Sequence, residues 1–288
     1  MSHSKTLDPS ITPESKSNFL FSFFLLPREK REAIFTLYAF CRQTDDIADN
    51  NLPLEKRIMQ LNRWEKELKK CFVNRVSNYF DSLVQVAEMF KIPYDYFLEL
   101  IEGVRMDLTQ LSYRSFEDLK LYCYRVASTV GLMCIEIFGY QDPLIKSYAE
   151  NLGIALQLTN IIRDVGYDAH LGRVYIPGDE LKRFGLNEED ILQKQYSRNF
   201  VALMKYQAQR AREYYKKAEE CLPPSEKKNM LVSEVMKNIY LKLLSKVEEH
   251  EFQVFQRRIS LNTPSKLWIT LRTFSQIHLE EKLGKEPI

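Results

Sequence analysis

The chain is predicted to be all-helical. Its 288 residues include only 9 Gly and 11 Pro, too few turn formers for a barrel or sandwich that reverses every ten or so residues. Hydrophobic residues make up 45% and charged residues 28%, a mixture suited to long helices that each bury one face. Apolar residues recur at helical spacing throughout, with no internal repeat and no low-complexity tract. Residues 1–288 are read as one domain, with residues 1–15 as a flexible N-terminal extension.

The periodicity places helices at roughly 28–48, 54–72, 77–90, 93–110, 115–138, 142–167, 188–219, 225–255 and 263–281. Pro53, Pro93, Pro143 and the Pro223-Pro224 pair fall at the breaks, where a missing N–H and a fixed φ are tolerated. The interior segment Gly172 to Pro177 reads as a loop.

Charge and cysteine usage exclude several function classes. With 41 basic and 39 acidic residues the formal charge is +2, so no general basic excess points to nucleic acid. Cys41, Cys71, Cys123, Cys134 and Cys221 include no CxxC pair, which suits reduced thiols and a cytoplasmic protein rather than a disulfide frame or zinc site. The apolar run from Phe19 to Leu26 stops at Pro27, far short of the ~20 residues that span a bilayer. Its acidic approach and basic exit do not resemble a signal peptide.

Two helices carry polar residues in an arrangement that needs explaining. Tyr38, Arg42, Asp45 and Asp49 fall within a sector of about 60° at ~100° per residue. Gln157, Asn160, Asp164 and Asp168 fall within about 80° by the same geometry. The second stripe interrupts a helix otherwise apolar nearly all round, from Leu152 to Val165. Such a helix should be buried, and its carboxylates then need partners. Aspartates at i,i+4 also repel, and Asp is a poor interior helix former. A divalent cation on oxygen ligands, backed by substrate phosphates, relieves both costs. One DxxxD pair is expected by chance in a chain of this length, and alone it would read as a solvated helix face. Two, each extending an aligned polar stripe, point to a metal-dependent site.

The motifs themselves resemble a known family. Tyr38-Ala-Phe-Cys-Arg-Gln-Thr-Asp-Asp-Ile-Ala-Asp49 resembles the first aspartate-rich motif of the squalene and phytoene synthases. Gln157-Leu-Thr-Asn-Ile-Ile-Arg-Asp164-Val-Gly-Tyr-Asp168, followed by Gly172-Arg-Val-Tyr-Ile-Pro177, is similar to the second. Tyr122-Cys-Tyr-Arg-Val-Ala-Ser-Thr-Val-Gly131 looks like the central segment. The likeness runs from about Phe19 to Trp268. Ser128, Tyr167, Thr263 and Ser265 depart from the usual pattern, none at a metal-ligand position.

The resemblance implies the all-α isoprenoid synthase fold and head-to-head joining of two prenyl diphosphates. It implies Mg²⁺, about two to three ions with bound diphosphate, held by Asp45, Asp49, Asn160, Asp164 and Asp168. NADPH is not expected, because no glycine-rich nucleotide loop is visible. Tyr38, Arg42, Gln157, Asn160, Tyr240 and Arg257 match positions around the diphosphates. Arg163 stands beside them either as a helper or as a partner of neighbouring carboxylates. Tyr122 matches the family's acid–base tyrosine, with a structural role as the alternative. Phe19, Val126 and Gly131 match substrate-facing positions. Prenyl diphosphates are the expected partners, with peripheral membrane contact for product release.

The strings Cys134 to Tyr140 and Phe252 to Arg258 look closest to bacterial presqualene diphosphate synthases of hopanoid pathways. They favour two farnesyl diphosphates condensing to presqualene diphosphate. Gly103 to Leu108 also resembles phytoene synthases, which keeps two geranylgeranyl diphosphates as the alternative, alongside a squalene or dehydrosqualene synthase. A ferritin-like di-iron site would need ExxH motifs, and none of His3, His170, His250 or His278 has a Glu three residues before it. A non-catalytic helical scaffold is the remaining class, against which the intact aspartates speak.

Overall fold

The computed structural model describes residues 20–74 and 79–283, and among these there is no strand, only an isolated parallel bridge between Ser112 and Val174. Phe19 and the residue 1–15 extension lie outside the described residues. The helices are α1 Leu20–Phe23, α2 Arg28–Asp49, α3 Leu54–Lys69, α4 Asp81–Met89, α5 Tyr94–Thr109, α6 Phe116–Cys123, α7 Thr129–Phe138 and α8 Leu144–His170. They continue with α9 Gly178–Arg183, α10 Glu188–Leu192, α11 Arg198–Glu220, α12 Leu231–Glu249 and α13 Thr263–Leu283. Pro27, Pro53, Pro93 and Pro143 stand immediately before α2, α3, α5 and α8. There the absent N–H costs no intrahelical bond. The Ser115 and Ser197 hydroxyls accept from the backbone N–H groups of Asp118 and Phe200, capping α6 and α11.

The burial pattern of α8 explains its apolar circumference. It packs against α11, α7, α12 and α6, burying Leu152, Ile154, Ala155, Leu158, Ile161, Ile162 and Val165. The stripe Gln157, Asn160, Asp164, Asp168 keeps partial access between these turns, as does Leu156, and Tyr167 is exposed. Opposite, α2 packs on α3, α4, α5 and α7 through Ile34, Leu37 and Phe40. Its Asp45 and Asp49 remain exposed.

The run from Phe116 to Phe138 is long and apolar enough to cross a membrane, but it packs against α5 and α8 in the bundle. It is not a regular helix throughout, because Tyr124–Ser128 widens into a π-helical turn, a distortion often found near functional residues. Gly153 of α8 faces this turn so closely that a Cβ there would lie 2.5 Å from Ser128 Cα and 2.6 Å from Ser128 N. Ser128 uses the approach to donate to the Glu150 carbonyl at 2.7 Å. Gly153→Ala should therefore cost about 1–3 kcal/mol of stability through overpacking. An unchanged thermal midpoint would show that the contact is compliant.

Three sequence expectations differ from the structure. The helix expected at 188–219 is two helices, because Lys194 adopts φ 56° and Ser197 opens a new cap. The helix expected at 225–255 ends at Glu249, because Glu251 and Phe252 take left-handed φ of 51° and 58° while the Phe252 ring is fully buried. Helix α9 was not anticipated, since six residues are too few for a periodic signal.

Candidate active site

The acidic residues converge where three helices end. Asp45 and Asp49 occupy the last turns of α2, Asp107 the last turn of α5, and Asp164 and Asp168 the last two turns of α8. Helix C-termini carry partial negative charge, so carboxylates there are opposed by roughly 0.3–1 kcal/mol each. The chain thus collects anions where its backbone least favours them.

Their titration reflects this crowding. Asp45 is open to solvent on one side but surrounded by protein on the others, and this burial, with repulsion from Asp107 and Asp49, pushes its carboxyl up to about 7. Burial and the neighbouring Asp164 charge push Asp168 up to about 8. Burial also raises Asp107 to about 6, although hydrogen bonds from Tyr175 and Tyr122 and the charge of Arg173 pull the other way. Arg173 joins the two stripes, standing 3.4 Å from Asp49 and close enough to Asp107 and Asp168 to bear on both.

Asp107 anchors a cluster of phenols. Tyr175 donates to one carboxylate oxygen at 2.7 Å and Tyr122 to the other at 3.1 Å. The rings of Tyr122 and Tyr175 stack with centroids 5.1 Å apart, and Tyr113 lies 5.6 and 5.8 Å from them. All three are buried, and the Tyr113 hydroxyl has no hydrogen-bond partner among the described residues.

Cations gather around Asp164. Asp164 is held by Arg163 and Arg258, both through bidentate forks. Burial raises the Asp164 carboxyl, but these two guanidiniums more than reverse it and leave it below the ordinary range. Arg163 also hydrogen-bonds Tyr240, which is buried on α12. Lys266 of α13 is buried nearby without an ion pair among the described residues. Burial and the Arg163 charge lower its ammonium. The segment carrying Arg258 reaches α8 because Gly166 has no side chain: a Cβ there would lie 2.4 Å from the Val254 carbonyl oxygen.

A cation fits these residues. The Asn160 Oδ1 atom is buried and unpartnered. The side-chain carboxylates of Asp45 and Asp168 make no hydrogen bond or ion pair among the described residues, and every donor is a hard oxygen, as Mg²⁺ prefers. Among the described residues no three acidic side chains enclose an ion by themselves. Mg²⁺ commonly completes its octahedron with water and phosphate oxygens.

The remaining expected residues fall in several places. Gln157 accepts from Asn160 Nδ2 at 3.3 Å. Arg42 is exposed and pairs with Asp46 at 3.2 Å while its charge reaches Asp45. Tyr38 packs edge-on to Phe23 at 6.3 Å. Val126 meets Gly103 of α5, and Gly131 faces Ala149 of α8. Arg257 is exposed with no partner among the described residues, and its neighbour Arg258 makes the contact to the site. A groove of about 660 Å³ between α12 and α13, lined by Asn238, Lys242, Trp268, Arg272 and Gln276 among others, contains none of these residues.

Asp107, Arg173, Tyr175, Arg258 and Lys266 escape a reading of the sequence by residue stripes. Asp107, Arg173 and Tyr175 sit within the recognisable strings Gly103–Leu108 and Gly172–Pro177, which was the available signal. A lone Asp among Met106 and Leu108 carries no periodicity that marks it as functional.

Comparison with known proteins gives the family and the fold. A family model described as squalene/phytoene synthase matches residues 12–264. The phytoene synthase of Arthrospira platensis is 35% identical over 280 residues, covering 92% of this chain and 91% of that protein. The phytoene synthase of Mycobacterium tuberculosis is 37% identical over 261 residues, covering 88% and 84%. Among solved structures, a dehydrosqualene synthase with bound ligand superposes with a TM-score of 0.82 at 27% identity, covering 94% and 95%. Squalene synthase HpnC from Alicyclobacillus acidocaldarius gives 0.71 at 26%, covering 81% and 89%.

Proposed function

Because the chain belongs to the squalene/phytoene synthase family of prenyltransferases and has the all-α isoprenoid synthase fold, we propose that it catalyses Mg²⁺-dependent head-to-head condensation of two prenyl diphosphates. The observation that carries this reading is the mixed charge of the site: the unpaired carboxylates of Asp45 and Asp168 stand beside a cationic group, Arg163, Arg258 and the unpaired Lys266, gathered at Asp164. A diphosphate with its metal ions is the ligand class that satisfies both halves.

Asp45, Asp49, Asn160, Asp164 and Asp168 would hold the ions. Bound Mg²⁺ supplies Lewis-acid neutralisation of the departing diphosphate. Arg163 and Arg258 present guanidinium forks matched to phosphate oxygens, and Lys266 adds a buried positive charge near Arg163. Tyr122 stays a neutral phenol, because burial and the adjacent Asp107 charge hold its pKa well above the ordinary value. Its proton sits on the hydrogen bond to Asp107, so a proton accepted by the phenol oxygen can be matched by transfer to that carboxylate. The buried aromatic wall around it keeps water from a cationic intermediate.

The curated relatives at 35–37% identity are phytoene synthases, which favours geranylgeranyl diphosphate as substrate. The superposition on dehydrosqualene and squalene synthases, with the strings Cys134–Tyr140 and Phe252–Arg258, supports farnesyl diphosphate and presqualene diphosphate as the second reading. Incubation with Mg²⁺ and each diphosphate, without NADPH, separates them by product mass. A C40 hydrocarbon is expected from the first substrate and a C30 diphosphate from the second. Folded protein that couples neither would refute the condensation.

A further inference from the structure

We propose that Arg258 is a latch on Asp164, so that this carboxylate becomes available to Mg²⁺ only when a diphosphate draws the guanidinium away. The proposal rests on the reading of Asp164 as a magnesium ligand. A carboxylate has about four lone-pair positions, and Asp164 spends four hydrogen bonds on two arginines. Its Oδ1 accepts from Arg163 Nε and Arg258 Nε, both at 2.8 Å. Its Oδ2 accepts from Arg163 Nη2 and, at 2.9 Å, from Arg258 Nη2. Asp45, Asp168 and the Asn160 oxygen are by contrast unpaired among the described residues. One ligand of the set is therefore saturated and Asp49 has a single 3.4 Å contact with Arg173, while the remaining three oxygen ligands have no side-chain partner among the described residues.

Of the two arginines, Arg258 is the one free to leave. The Arg163 side chain is 10% exposed, precedes Asp164 in the same helix and is tied to Tyr240. The Arg258 side chain is 64% exposed. It lies on an irregular segment after the left-handed residues Glu251 and Phe252. A diphosphate offers the same fork a doubly anionic partner of matching geometry. Moving Arg258 from carboxylate to phosphate opens an oxygen of Asp164 to the metal and keeps the guanidinium charge neutralised. By linkage, metal and diphosphate must then strengthen each other's binding by equal factors.

Titration calorimetry of the full chain with MgCl₂, alone and with inorganic diphosphate, tests the latch in wild type, Arg258→Gln and Arg258→Lys. The lysine variant keeps the charge and loses the fork. Wild type should bind Mg²⁺ weakly alone and at least about tenfold more tightly with diphosphate. Both variants should bind Mg²⁺ alone several-fold more tightly than wild type, with a smaller gain from diphosphate. If only Arg258→Gln tightens, charge removal explains the effect and the latch is overturned; it is overturned equally if neither variant changes. A wild-type chain that takes up no Mg²⁺ even with diphosphate would instead overturn the magnesium reading itself.

Discussion

Asp168→Asn is expected to reduce turnover by at least about 100-fold while making the metal-free protein more stable at pH 8. The two effects share one cause. Burial and the nearby Asp164 charge raise the Asp168 carboxyl to about 8, from an ordinary value near 4. The folded chain thus keeps a proton that the unfolded chain has already lost. Its contribution to stability is fully present below about pH 4 and disappears as pH rises through about 8. The amide has the same shape and no charge, so it escapes this loss. Thermal melts in chelator should show variant and wild type nearly alike at pH 4 to 5, with the variant several degrees higher at pH 8. A variant that melts below wild type at pH 8, or that keeps full activity with Mg²⁺, would rule out a strained metal ligand at this position. The same titration means that Mg²⁺ uptake near neutral pH should release protons.

Asp107→Asn should lower kcat by about 100-fold or more, the range in which a positioned acid or base contributes. Asp107 accepts from two phenols at once. An amide has a single acceptor oxygen and must turn N–H groups toward one of them. Tyr122 loses the group that receives its proton and also its fixed orientation. Tyr122→Phe should have a similar effect, and the double variant should be little worse than either single one, because residues acting as a unit are not additive. The pH dependence of kcat separates this from a simple packing defect: the acidic limb set by a carboxyl near 6 should vanish in Asp107→Asn. Additive losses with an unchanged pH profile would reduce the tyrosine cluster to a structural feature.

Much of the molecule could be read from the chain. The helical periodicity located most of the helices, and Pro53, Pro93 and Pro143 marked the starts of α3, α5 and α8. The spacing of Gln157, Asn160, Asp164 and Asp168 predicted a polar stripe on a buried helix, as α8 is. The misses have local causes. The breaks after Leu192 and Glu249 depend on Lys194, Glu251 and Phe252 adopting positive φ, which no propensity of Lys, Glu or Phe announces. Asp107 has no second aspartate at the spacing that marks the two stripes, and α5 is otherwise an ordinary amphipathic helix.

The sequence by itself determined the fold class, the two aspartate stripes and the family, because these depend on periodicity and on short contiguous motifs. Only the tertiary structure decided which groups face them. It brings Asp107 from α5 and Arg173 from the loop after α8 between the stripes. Gly166 lets the chain after α12 approach until Arg258, rather than Arg257, closes on Asp164. A carboxylate's pKa and partners depend on charges that arrive from distant parts of the chain. That arrangement is a property of packing, and no local pattern encodes it.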